Sequence, residues 1–356
     1  MEPWLGEEEA TAVHDYMRAG GWLMEHDKTR QFESMVADYT GAAHCIVTVS
    51  GTVSLTLAAL GCDVKPGDEV IVPNYTMIAT ANSAFMLGAT PVFVDVEPET
   101  LCLDISRTEA ALTPKTRAIM LVTANGRYPK AGIEAFVDLA DKHGLALIED
   151  AAQSLGSHFP DGRHMGTVGK VGCLSFSVPK IITTGQGGCL ITNDDELAER
   201  LRKLKNFGRA AGGTDIHQSI GYNFKFTDLQ ACVGIEQMKK LDWRIERKKQ
   251  ILLKYRQALG AIKSVKFFEQ DLTQTTPWFI DILCERRSAL QAHLEQRGIG
   301  TRVMYPPVNM QEAYQRAGHH PVSELVGQRG LWLPSSSQLT DEQIETVCDG
   351  VAEFYD

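Results

Sequence analysis

Between residues 46 and 192 short, nearly unbroken apolar runs alternate with stretches of helical composition. The runs are Ile46-Val49, Val70-Pro73, Pro91-Val94, Ile119-Val122, Leu145-Glu149, Cys173-Phe176 and Cys189-Thr192. Runs without polar alternation predict strands covered on both faces, as in a parallel or mainly parallel sheet. Candidate helices such as Val53-Leu60 and Glu134-His143 lie between them, so the order is βα rather than all-β. Polar residues and turns close several runs: Ser50-Gly51, Pro73-Asn74, Thr123-Ala124-Asn125-Gly126 and Glu149-Asp150. In open α/β sheets the ligand crevice lies beyond the carboxyl ends of the strands, so these residues are where chemistry is expected.

From Thr227 the pattern changes. Ile235, Met238, Leu241, Ile245 and Leu252 recur mostly at three- and four-residue intervals and predict one long helix. Its other face carries Lys239, Lys240, Arg244, Arg247, Lys248 and Lys249, which reads as a solvated surface. Beyond it, Trp278-Cys284 reads as a strand, Ser288-Arg297 as a helix and Asp341-Phe354 as a terminal amphipathic helix. Together they predict a smaller α+β domain. The expected division is an N-terminal segment, 1–20, packing with that small domain, a large domain over 21–235, and a linking helix with the small domain over 236–356. Arg209-Ala210-Ala211-Gly212-Gly213 suits a loop.

Composition narrows the partners. With 45 acidic residues against 35 basic ones the chain carries a formal charge of −10. That balance argues against nucleic acid or an anionic membrane as the main partner. No apolar run approaches bilayer length, and Met1 to Glu9 lacks the pattern of a secretory signal. The eight cysteines form no CxxC pair and read as buried hydrophobes in a reducing cytosol, not as a metal site. The expected location is therefore cytoplasmic.

Four local features carry candidate chemistry. Ser50-Gly51-Thr52-Val53-Ser54 follows a strand and opens a helix, where backbone N–H groups and hydroxyls can cradle a phosphate or simply cap the helix. It matches neither a Walker A loop nor GxGxxG. Asp150, in Ile148-Glu149-Asp150-Ala151-Ala152-Gln153, ends a very apolar strand; it either caps a helix or pairs with a protonated heterocyclic nitrogen. Lys180 sits between two strands, after Pro179 and before Gly185-Gln186-Gly187-Gly188, a setting that favours a functional amine over a surface lysine. Gly221-Tyr222-Asn223-Phe224-Lys225-Phe226 is either ordinary strand packing or a way to turn Asn223 and Lys225 towards a ligand.

Taken together, from about Trp4 to Tyr355, these motifs resemble the sugar-modifying, pyridoxal-phosphate-dependent aminotransferases of the DegT/DnrJ/EryC1/StrS family. The resemblance implies a fold-type-I transferase fold: an α/β large domain around a mainly parallel seven-stranded sheet, and a smaller α+β C-terminal domain. It also implies a homodimer with shared active sites. It assigns Lys180 as the lysine that bonds the cofactor aldehyde, Asp150 to the pyridine nitrogen and Gln153 to the ring hydroxyl side. Gly51, Thr52 and Ser175 match phosphate contacts, and Asn223 matches an asparagine that reaches the same phosphate across the dimer interface. Met77 stands where an aromatic often packs on the cofactor ring.

On the substrate side the chain departs from the family pattern. Thr123 to Tyr128, including Asn125 and Arg127, replaces a histidine-aromatic stretch; Gln186 replaces a glutamate, Lys225 an arginine and Asn309 a histidine. With Tyr305, these residues are the expected substrate contacts. The C-terminal half is most similar to the perosamine synthases of the family. That likeness implies L-glutamate as donor, 2-oxoglutarate as its product, and a nucleotide-linked 4-keto-6-deoxy sugar as acceptor, first GDP-4-keto-6-deoxymannose. A cyclitol aminotransferase, a lapsed cofactor-binding regulatory protein and, more distantly, a NAD-dependent dehydrogenase remain as alternatives. A 3-dehydratase is disfavoured because Lys180 is present.

Overall fold

A computed structural model describes residues 4–209 and 215–356. The loop expected at Arg209 to Gly213 therefore lies, beyond Arg209, outside the described residues. Seven strands form the larger sheet: β1 (His44–Thr48), β2 (Glu69–Pro73), β3 (Thr90–Val94), β4 (Thr116–Val122), β5 (Ala146–Asp150), β6 (Val171–Ser175) and β7 (Gly188–Thr192), in the order β1-β7-β6-β5-β4-β2-β3. Only β7 runs antiparallel to its neighbours. Each run predicted as a strand is one, with ends shifted by at most three residues.

Helices cover both faces, which is why the strands carry no polar alternation. On one face Ile46, Val70, Met120, Ile148 and Cys173 pack with α3 (Gly51–Gly61), α4 (Ala79–Phe85) and α7 (Asp195–Lys205). On the other, Val47, Leu174 and Ile191 meet α2 (Asp27–Thr40) and α8 (Asp228–Lys239), while Ile71, Ile119 and Leu147 meet α6 (Glu134–His143). The short α5 (Ile105–Ala110) flanks α6. The first helix, α1 (Glu7–Arg18), lies on α8, where Glu9 accepts from Gln237 Nε2 (2.7 Å) and Tyr16 donates to Asp228 (2.8 Å). Its partner helix packs in turn on Phe32 and the large sheet, while Trp4 meets Trp243 and Arg244 of the following helix.

The single long helix expected from Thr227 is two. After α8 the chain turns at Lys240 (φ −98°, ψ −3°) and α9 (Leu241–Leu259) sets off afresh. The expected boundary between 235 and 236 thus falls inside α8. The basic face of α9 is not a solvated surface throughout. Arg244 and Lys248 are buried, because Trp4 and the segment entering β9 fold over them. Arg244 donates to the carbonyls of Ile181 and Trp4, and Lys248 to those of Trp278 and Ser335.

The smaller sheet runs β10 (Arg302–Val303), β11 (Gly330–Leu333), β9 (Ile280–Cys284), β8 (Val265–Phe267), all antiparallel. It packs with α9, α10 (Arg287–Gln296) and α12 (Asp341–Tyr355), while α11 (Pro321–Arg329) leads into β11. Polar clips fasten it to the carboxyl edge of the larger sheet. Asp95, just after β3, accepts from the N–H groups of Val322 and Ser323 at the start of α11 (2.9 and 3.0 Å). Past β2, Asn74 exchanges hydrogen bonds with Asn309 (2.9 Å each). Past β4, Asn125 brackets the Phe279 peptide, donating to its carbonyl (2.9 Å) and accepting from its N–H (2.6 Å). Arg127 forms a two-pronged pair with Asp281 in β9 (3.1 and 2.7 Å) and donates to the Thr100 carbonyl (2.8 Å). This turn needs left-handed backbone at Asn125 and Gly126 (φ 55° and 76°); a Cβ on Gly126 would lie 2.3 Å from the Thr276 carbonyl oxygen.

Arg127 is 3% exposed and Asp281 5%, so removing one partner strands a buried charge. Asp281→Asn should lower unfolding stability by about 3–5 kcal/mol. The check is a urea titration showing a lower midpoint with little change of slope, with Arg127→Met/Asp281→Leu recovering much of the loss. A midpoint unmoved by Asp281→Asn would mean that the pair is not a structural clip.

Candidate functional site

The parallel strands end on one edge of the larger sheet, and four chemical elements gather there. Asp150 is the last residue of β5 and is 4% exposed. Its carboxylate accepts from Thr80 Oγ1 on α4 (2.7 Å) and from the Ala152 N–H (3.2 Å). Burial raises its pKa against the pull of those donors and of Lys180, the cation whose field it feels. A carboxylate so placed, without a direct ion-pair partner among the described residues, is suited to a cationic group brought in from outside.

Lys180 follows β6 by a short turn in which its N–H donates to the Ser177 carbonyl (3.0 Å). Burial pulls its ammonium pKa down to about 8, and Asp150 opposes the fall. Nζ lies 3.9 Å from the centre of the Trp278 ring. One narrow cleft is lined by Lys180, Gln153, Ser175, Thr276 and Trp278. Gln153 is fixed by accepting from the Asn125 N–H (2.7 Å).

The third element is the start of α3. Ser50 caps it by accepting from the Val53 N–H (3.3 Å), which leaves the Gly51 and Thr52 N–H groups without an acceptor among the described residues. The helix dipole favours an anion there. Gly51 is required by close packing: a Cβ would stand 2.9 Å from the Ser175 Cβ, and one on the facing Gly188 would stand 2.5 Å from the Gly51 nitrogen. An amine, a buried carboxylate and an anion cradle on one edge fit the aldehyde, ring nitrogen and phosphate of pyridoxal phosphate.

The fourth element is aromatic. Tyr305 packs on Trp332 (4.8 Å between ring centres) and Tyr75 (5.9 Å). Its hydroxyl pKa is pushed up to about 12, by burial first, with Asp150 adding and Arg302 opposing.

The remaining expected residues are scattered. Met77 is 45% exposed near the start of α4. Gln186 is exposed in the tight turn before β7, its carbonyl accepting from Thr184 and Gln230. Asn223 is exposed and bridged through its backbone to Asn206; Lys225 donates to the Asn206 side chain (3.3 Å) and lies over the Phe207 ring. Asn125, Arg127 and Asn309 have side-chain polar atoms engaged in the clips described above, with the Asn309 amide also donating to the Arg316 carbonyl (3.0 Å). Thr80, Trp278 and Lys248 were missed, because no local pattern marks a helix threonine or a basic-face lysine whose partner is far away in sequence.

The sequence profile of the DegT/DnrJ/EryC1/StrS aminotransferase family matches residues 3–352. The chain belongs to this family. Among relatives, a GDP-perosamine synthase of Escherichia coli O157:H7 is 36% identical over 330 residues, covering 92% of this chain and 90% of that protein. A pleiotropic regulatory protein of Geobacillus stearothermophilus is 34% identical over 352 residues, 96% and 93% of the two chains. The crystal structure of the aminotransferase TlmJ from Streptoalloteichus hindustanus superposes with a TM-score of 0.92 at 32% identity, covering 100% and 99%. The family's fold-type-I architecture is present throughout: large mainly parallel sheet, smaller α+β C-terminal domain. Pyridoxal phosphate is the cofactor that family and fold indicate.

The Asp150 carboxyl gives a pH test that needs no substrate. Its folded pKa lies above its unfolded value, so the fold favours the protonated form and loses stability as pH rises from about 4 through the raised value. In cofactor-free protein, the melting temperature of Asp150→Asn relative to wild type should therefore increase with pH across that window. A difference that stays flat from pH 4 to neutrality, about 3 units, would contradict the buried, unpaired carboxylate.

Proposed function

We propose that this chain is a pyridoxal-phosphate-dependent aminotransferase that carries an amino group from L-glutamate to a nucleotide-linked 4-keto-6-deoxy sugar. The first acceptor is GDP-4-keto-6-deoxymannose, giving GDP-perosamine. The single observation that carries the chemistry is the convergence of Lys180 and Asp150 on one edge of the sheet, each feeling the other's charge. Similarity to GDP-perosamine synthases over most of the chain supports the acceptor.

The N–H groups of Gly51 and Thr52 and the Ser175 hydroxyl hold the phosphate, joined by Asn223 from a second copy of the chain in a homodimer. Asp150 keeps a proton on the ring nitrogen by ion pairing, and Thr80 holds that carboxylate in place. Gln153 takes the ring-hydroxyl side and Met77 supplies soft contact over the ring face. Bound there, the cofactor supplies an aldehyde that carries the amino group and a ring that accepts electron density from the donor carbon. Lys180, displaced by the incoming amine, takes the donor's Cα proton at Nζ and returns a proton to the carbonyl-derived carbon; an amine pKa near 8 suits both directions. The donor's nitrogen would stay on a bound cofactor between the two half-reactions, with one water consumed as 2-oxoglutarate is released and one returned at the sugar. Lys180 would run the same proton transfers in reverse for the acceptor. Tyr305, Gln186 and Lys225 are the candidate acceptor contacts. The domain boundary in this reading lies at Lys240, and the protein works in the cytoplasm.

The relative described as a regulatory protein keeps a second reading in play, in which the cofactor is bound without turnover. A half-reaction separates them. Protein loaded with the amino form of the cofactor is offered GDP-, UDP- and dTDP-linked keto-sugars and keto-cyclitols, and the return of near-visible absorbance is followed. Recovery with GDP-4-keto-6-deoxymannose is expected, with no recovery by Lys180→Ala. Faster recovery with another acceptor would replace the substrate, and none with any acceptor would favour binding without turnover.

A further inference from the structure

Lys180 is held from the other domain, by one side chain. Trp278 enters β9 of the smaller sheet and is 5% exposed. The Lys180 ammonium lies 3.9 Å from the centre of its ring, and its indole N–H donates to the carbonyl of Pro179, the residue before Lys180 (2.7 Å). Trp278 is itself pinned. Buried Lys248 donates to its carbonyl (2.7 Å), Asn125 brackets the Phe279 peptide, and Arg127 grips Asp281 two residues further on. The Phe279 ring stacks on the indole at 3.7 Å between centres, with Trp332 edge-on at 6.2 Å.

We infer that Trp278 is a positioning residue for Lys180: its ring face seats the free ammonium and its indole N–H fixes the backbone that carries it. The inference rests on the reading of Lys180 as the reacting amine. A ring face suits an amine that must alternate between bonded and free states. It stabilises the cation when Lys180 is displaced, yet offers no lone pair that must be broken from before the amine can turn back. The charged and titratable groups around Lys180 leave this task open. Asp150 of β5 attracts it from the sheet edge, whereas Arg244 of α9, lining the hollow beside it, carries the same sign as the ammonium. Lys248 shares that hollow, but burial lowers its pKa to about 7 and leaves it largely neutral where Lys180 titrates. The ring therefore offsets part of what burial takes away. It also gives a purpose to the clip formed by Asn125 and Arg127, which locates the strand that Trp278 begins.

The test titrates Lys180 directly on the full chain freed of cofactor. A limiting amount of acetic anhydride is applied across a pH series, and acylation of the Lys180 peptide is quantified by mass spectrometry. Trp278→Met keeps bulk and loses both the ring face and the N–H; Trp278→Phe keeps a weaker face and loses the N–H. The Met variant should lower the Lys180 midpoint by about one unit, tenfold in the protonation constant, and the Phe variant by less. Far-ultraviolet circular dichroism identifies variants that have folded; if the Met variant has not, the Phe variant decides. A midpoint equal to or above wild type in the deciding variant overturns the inference. Because the readout needs no cofactor, a chain that binds no pyridoxal phosphate would sink the functional reading alone. Normal cofactor absorbance with an unmoved midpoint would sink this inference alone.

Discussion

A carboxylate buried at the end of an apolar strand is the constraint on which the rest of this structure turns. Asp150 is held by a hydroxyl and one peptide N–H, and burial works against its charge. Such a group is unfavourable in a fold unless a cation arrives to meet it. The sheet is arranged around that arrival. β5 lies central in the sheet and presents Asp150 at the common edge, β6 returns Lys180 to the same edge, and α3 aims its amino end there. Two groups of opposite charge, each pushed towards neutrality by burial, make a site whose charges are completed by what binds.

The second domain is more than a cover. It meets the larger sheet through polar clips, each joining a turn just beyond a strand of the large sheet to the start of an element of the small domain. Asp95 to α11, Asn74 to Asn309, Asn125 to Phe279 and Arg127 to Asp281 set where the small sheet stands. Because β9 carries Asp281 and follows directly on Trp278, two of the clips and the ring that meets Lys180 are placed by one strand. Rigid attachment at this seam is consistent with chemistry that needs the amine held within bonding reach of a bound ring.

Much of this was legible in the sequence, for a physical reason. Strands buried on both faces read as apolar runs, and their carboxyl ends are marked by polar residues, so the sheet and the positions of Asp150 and Lys180 followed from local pattern. What stayed illegible depends on partners distant in sequence. Arg127 and Asn125 sit in a stretch that departs from the family pattern next to the expected site, which suggested substrate; only the fold shows Asp281 and the Phe279 peptide opposite them. Lys248 and Arg244 lie among basic residues on a helix, and their burial is decided by Trp4, Trp278 and Ser335 closing over them. The break at Lys240 was hidden because apolar spacing continues through it with little change of period.

The most direct test of the central claim is to find which lysine bonds the cofactor. Protein saturated with pyridoxal phosphate is reduced with borohydride, digested and mapped by mass spectrometry. Burial lowers two lysines far below their ordinary range, Lys180 to about 8 and Lys248 to about 7, so amine basicity alone does not choose between them. The account predicts the added mass on the peptide containing Lys180, with Lys248 unmodified. Label on Lys248, or on surface lysines without preference, would contradict it.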